Sequence, residues 1–130
     1  MVLFNRGEIM GIEIKGITHE YTHVPEEDYI LREFIKTLDY PNEDFKIVKP
    51  SQNYTTLKYK DYDLIRLKYT DITKWLEVPV IKDMKKKYIG DPLFEEKTKK
   101  NIFWKSFLND TDLSAYKEII DYFIVKIVNK

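Results

Sequence analysis

The chain contains no cysteine, which excludes disulfides and thiolate metal sites. Its four glycines are scattered, so no glycine-rich loop is available to cradle a phosphate. Serine occurs at Ser51, Ser106 and Ser114, none of them in a nucleophile-elbow pattern. Long apolar runs are also missing. The most apolar stretch, "IIDYFIVKIV" at 119–128, is broken by Asp121 and Lys126 and falls short of the ~20 residues that span a bilayer. The N-terminus lacks the apolar run of a signal peptide. These absences predict a soluble cytoplasmic protein with no membrane partner and no cofactor.

What remains is rich in charge and rings. Charged residues make up 34% and aromatics 15% of 130 residues, enough aromatic content to exclude a disordered chain. Net charge is zero, but residues 1–45 carry ten acids against four bases, while residues 46–105 carry fifteen bases against eight acids. A basic middle beside an acidic start fits either a polyanion-binding surface or two segments that neutralise each other.

The length fits one domain over 1–130. An N-terminal strand and helix are expected over 11–40, and a meander, a further strand and a C-terminal helix over 45–128. "GIEIKGI" alternates as a strand. "VPEEDYILREFIKTLDYP" predicts a helix with Pro25 in its first turn, acids at its positive end and Pro41 as its stop. "DFKIVKP", "NYTTLKY", "YDLIRLKY" and "KWLEVPV" predict consecutive strands, with a hairpin at Lys60 and Asp61. Period-two alternation places Leu57, Tyr59, Ile65, Leu67, Tyr69, Leu76, Val78 and Val80 inward. It places Tyr54, Thr56, Lys58, Arg66, Lys68, Trp75 and Glu77 outward. "IKDMKKKYIGDP" predicts a short helix with Ile81, Met84 and Tyr88 on one face. "NIFWKSFL" is apolar on both faces and predicts an interior strand carrying a buried Trp104. Leu113, Tyr116, Ile120, Phe123 and Ile127 mark the inner face of a last helix. The fold class is α+β, an antiparallel β-meander packed with two main helices.

One motif invites a catalytic reading. Residues 19–23 read "HEYTH", the zinc-peptidase pattern, and His19 and His23 are the two histidines of the chain. That chemistry needs both histidines on one helical face. Pro25 disfavours helical geometry at Val24, and Gly16 breaks a helix from the other side. The expectation is a loop or strand end, no enzyme activity, and a zinc metallopeptidase as the lesser alternative with His19 and His23 as its ligands.

The meander "NYTTLKYKDYDLIRLKYTDITKWLEV", with the later "KKNIFWKSFLNDTDLSAYKEIIDYFI", resembles the YjbR/MmcQ-like double-wing α/β domains and related modules of bacterial nuclease and mobile-element proteins. The residues that carry the likeness are Tyr54, Lys58, Arg66, Lys68, Trp75, Asn101, Phe103, Trp104 and Lys105, over roughly residues 45–127. Phe103 stands where a histidine is frequent in that family. The resemblance implies a double-wing fold, for which DNA binding has been proposed, and no enzyme activity. Independently, Tyr54, Lys58, Arg66, Lys68 and Trp75 on one sheet face would offer rings to bases and cations to phosphates. The alternative reading is a protein–protein interaction module, a role common among small accessory proteins of bacterial or phage origin and one that favours Tyr and Trp.

Overall fold

Pro25 fixes the start of the first helix, α1 (Pro25–Ile35), with Val24 extended before it (φ −93°, ψ 116°) as a residue preceding proline should be. Glu26, Glu27 and Asp28 fill its first turn. The helix closes six residues before Pro41. Thr37 N–H bonds back to Phe34 O (2.9 Å) and Leu38 N–H to Ile35 O (3.0 Å), a tightened last turn. Thr37 Oγ1 takes the same Phe34 carbonyl at 2.7 Å. Leu38 still reaches the core.

The computed structural model describes residues 20–88, 95–96, 103–107 and 112–130. The strand expected at 11–17, His19 and Asn101 lie outside them. Six strands form one antiparallel sheet: β1 (Phe45–Ser51), β2 (Tyr54–Tyr59), β3 (Tyr62–Tyr69), β4 (Lys74–Pro79), β5 (Glu95–Glu96) and β6 (Phe103–Phe107). Their spatial order is β1-β2-β3-β4-β6-β5, so β6 is interior, as its two-sided apolar sequence requires. The side chain of Trp104 is not among those described. Pro79 ends β4, a position where its missing donor is tolerated.

Two irregularities shape the β2–β3 hairpin. Its turn puts Lys60 and Asp61 at φ 48° and 69°, the signature of a type I′ connection made without glycine. Lys60 is held there by its N–H on Asp44 O (3.0 Å) and by its Nζ on Asn129 Oδ1 (3.0 Å). The second irregularity is a bulge. Leu57 faces Ile65, but Lys58 faces Asp63, so Leu64 is the extra residue. Leu64 and Ile65 are both fully buried in consequence. Strict alternation would have turned Asp63 toward the core; the bulge turns it to the other face, opposite Lys58.

One core lies beneath the sheet. Ile30, Leu31 and Phe34 of α1 pack there with Leu57, Tyr59, Leu67, Leu76 and Val78. Met84 and Tyr88 of α2 (Lys82–Tyr88) join it, on the face expected. So do Ile119, Ile120 and Phe123 of α3 (Lys117–Phe123). A 3₁₀ turn, Ser114–Tyr116, leads into α3, and a π-helical turn, Ile124–Val128, follows it. That wider turn rotates the helix face. Ile124 is fully buried while Ile127, expected inward, is 37% exposed. The architecture is α+β, with α1 and α3 on one face of an antiparallel sheet. Among the described residues no helix is long and apolar enough to cross a membrane.

Candidate functional site

The face of the sheet away from α1 and α3 brings together the aromatic and basic residues that alternation had grouped. Arg66 is its centre. Its guanidinium lies 3.9 Å from the centroid of the Phe103 ring and 6.0 Å from that of Tyr54. The Tyr54 and Trp75 rings are 6.4 Å apart, and Trp75 stands opposite Lys68 across the β3–β4 ladder. Phe103 thus stacks against the guanidinium, a cation–π geometry that also screens Arg66 from water.

The cations of this face are matched by carboxylates on the same face. Lys58 Nζ is 2.8 Å from Asp63, Arg66 is 3.3 Å from Asp63, and Arg66 is 3.5 Å from Glu77. Lys58, Asp63 and Arg66 are 24–31% exposed; Glu77 is 3% exposed. Lys58–Asp63–Arg66–Glu77 therefore forms a ladder of alternating sign across three strands. Lys68 has no carboxylate partner among the described residues.

Two outward residues differ from expectation. Thr56 and Glu77 are buried rather than solvated. Thr56 stands opposite Arg66, which stands opposite Glu77, so the long guanidinium arm and its stacked ring lie across this row. Thr56 Oγ1 and Arg66 Nε are buried there without a hydrogen-bond partner among the described residues. Asp63 carries no sign of this role in the sequence, because the Leu64 bulge that redirects it leaves no mark in residue type.

Of the "HEYTH" motif, Glu20 to His23 are described and are not helical. Tyr21 N–H instead donates to Lys49 O at 2.9 Å, which ties this segment to the end of β1. His23 Nδ1 is 2.9 Å from both Asp28 oxygens and Nε2 is 3.0 Å from Glu20 Oε2. Partial burial of the ring works to lower its pKa, but the hydrogen bonds and charges of Glu20 and Asp28 prevail and raise it above the ordinary value. Both ring nitrogens are committed to carboxylates, the arrangement of a protonated imidazolium rather than of a metal ligand. Among the described residues no three His, Asp or Glu side chains form a group able to hold a metal ion.

A further polar cluster sits under the sheet. Glu27 is 1% exposed and accepts from Thr55 Oγ1 (2.6 Å) and from the Tyr69 backbone N–H (2.7 Å). The ammonium of Lys49, itself 5% exposed, lies 3.5 Å away. The sequence placed Glu27 at the helix N-terminus, where a dipole contact suffices to explain it. Its reach to three strands follows from α1 lying directly over β1, β2 and β3.

No family model, no curated protein and no solved structure matches the chain. The likeness to the double-wing domains accordingly stays a proposal.

Proposed function

We propose that the protein is a non-catalytic binding module that engages a protein partner through the Tyr54–Lys68–Trp75 side of the outward sheet face. The observation that carries this reading is the charge ladder. Nucleic-acid binding draws its affinity from cations that replace condensed counterions on phosphates. Lys58 and Arg66 already spend their charge on Asp63 and Glu77 within hydrogen-bonding or ion-pair range. A face of half-buried rings and balanced charge suits a protein interface, where Tyr, Trp and Arg are favoured and net charge is not.

A second reading, contact with single-stranded nucleic acid, draws on Lys68 standing opposite Trp75. A ring flanked by a cation with no carboxylate partner among the described residues is the minimal unit for stacking a base. Filter-binding titrations at low salt separate the two. The protein-partner reading expects no saturable binding of single- or double-stranded DNA or RNA at tens of micromolar protein, where non-specific affinities of roughly 10⁻⁴ to 10⁻⁶ M begin to register. It also expects a stable complex from cell extract that is lost in Trp75→Ala. Binding that falls steeply with salt, and falls further in Lys68→Glu, would overturn it in favour of nucleic acid.

A further inference from the structure

Beyond the outward face, the edge of β1, which no strand pairs among the described residues, forms a second surface. A groove of about 460 Å³ runs between α1 and this edge, lined by Arg32, Ile35, Lys36, Asn42, Phe45 and Ile47. Its apolar members, Ile35, Phe45 and Ile47, also pack against or within the core.

The backbone beside the groove is directional. Lys49 C=O points away from β2, because it accepts from Tyr21 N–H. Backbone groups alternate along a strand, so those of Ile47 and Phe45 point the same way. Asp44 agrees with this phase: its carbonyl points toward the hairpin and accepts from Lys60 N–H. Phe45 N–H is used by Asn42 O. The N–H and C=O of Ile47 have no partner among the described residues. Beyond Lys49, the register irregularity between Val48 and Ser51 interrupts the alternation, and the regular edge ends there. The open stretch is short and lies directly above the groove.

The geometry points to strand addition at this edge by an extended segment of a partner protein, with an acidic side chain two residues from an apolar one. A strand pairing with β1 places the residue opposite Ile47 on the groove side, over Ile35 and Phe45. Its neighbour two positions along lies on the same side, within the cationic rim. Arg32 is exposed and has no ion pair among the described residues, and Lys36 is engaged with Glu33 in an exposed pair at 2.7 Å. No carboxylate lines the groove among the described residues. Charge also decides against a second copy of the chain. Two β1 edges paired about a two-fold axis would bring Arg32 and Lys36 against their own equivalents, and like charges across an interface select against it.

The test is a random octapeptide display library panned on the immobilised full-length chain. Enriched peptides are expected to carry Asp or Glu two residues from an apolar residue. A synthetic peptide of the enriched sequence should lose at least tenfold in affinity with Arg32→Glu. Ile47→Pro should do the same, since it deletes an outward N–H that the sheet does not use. Trp75→Ala, on the other face, should leave the peptide's affinity unchanged. Failure to enrich any sequence, enrichment without the acidic–apolar spacing, or an affinity indifferent to Arg32→Glu would each overturn the proposal. Arg32 is a surface residue, so its variant decides the matter even if Ile47→Pro fails to fold.

Discussion

Two ionic networks grip this sheet from opposite sides, and they are built on different terms. Beneath it, Glu27 is sealed from water and meets a hydroxyl, a backbone N–H and a buried ammonium. Above it, Asp63 and Arg66 keep about a quarter of their surface in solvent and trade partners along a ladder. The inner carboxylate has no water to fall back on, so each of its bonds must be made for the fold to tolerate it. The outer ladder is partly screened and its charges are interchangeable. The lower network fixes where α1 sits; the upper one sets how much charge the exposed face shows.

The sharpest way to break the comparison is to empty the inner network. Glu27→Ala strands Lys49 in the core and should destabilise the protein by about 3–5 kcal/mol, measured by urea unfolding. Replacing both members, Glu27→Met with Lys49→Met, should cost markedly less, because no charge is left unpaired. If the double variant is as damaged as the single one, packing rather than charge holds this corner.

The outer ladder should respond more mildly. Arg66→Ala removes the shared cation and uncovers the Phe103 ring, and about 1–3 kcal/mol should be lost. Glu77 retains further contacts, which limits the damage. A loss as large as that of Glu27→Ala would erase the distinction between the two faces.

The smallest effect concerns His23 and is read through pH. Its folded pKa is raised above the ordinary value of 6.5. Protonation is therefore favoured by folding. The resulting stabilisation is fully present below about pH 6.5 and is lost as pH rises through the folded value. The melting-temperature gap between the wild type and His23→Gln should be widest near pH 5.5 and close progressively in alkaline buffer. A gap that does not vary with pH would mean that the Glu20 and Asp28 contacts carry no ionic stabilisation.

The strands, their order along the chain and the inward set were legible because one face of the sheet is buried, and burial enforces period two at Leu57, Leu67 and Leu76. The hairpin at Lys60 and Asp61 was legible from spacing alone. The departures arise where the backbone changes period. The bulge at Leu64 and the π turn at Ile124–Val128 each insert one residue's worth of phase, and apolar residues on both sides conceal it. Tyr54, Lys58, Arg66, Lys68 and Trp75 lie on one sheet face as alternation implies, but the charge balance of that face was not legible. That balance depends on Asp63 appearing on the same side, and on Glu77 being drawn in beside Arg66. Glu27 was hidden for another reason: a helix N-terminus already explains an acid, so its sequence carries no sign of the strands beneath.

The Leu64 bulge has a bearing on how this chain tolerates insertions and deletions. Because Leu64 is the unpaired residue, removing it would join Asp63 directly to Ile65, with Lys58 still facing Asp63 and Leu57 still facing Ile65. The loss would be one buried leucine side chain, on the order of the 2–5 kcal/mol of a large-to-small core substitution, and not the ladder. Deleting Arg66 or Leu67 instead would throw every later side chain of β3 onto the wrong face. A change of length at position 64 is thus survivable within the strand, and the hairpin tip and the body of the sheet are free to drift apart in sequence on either side of it.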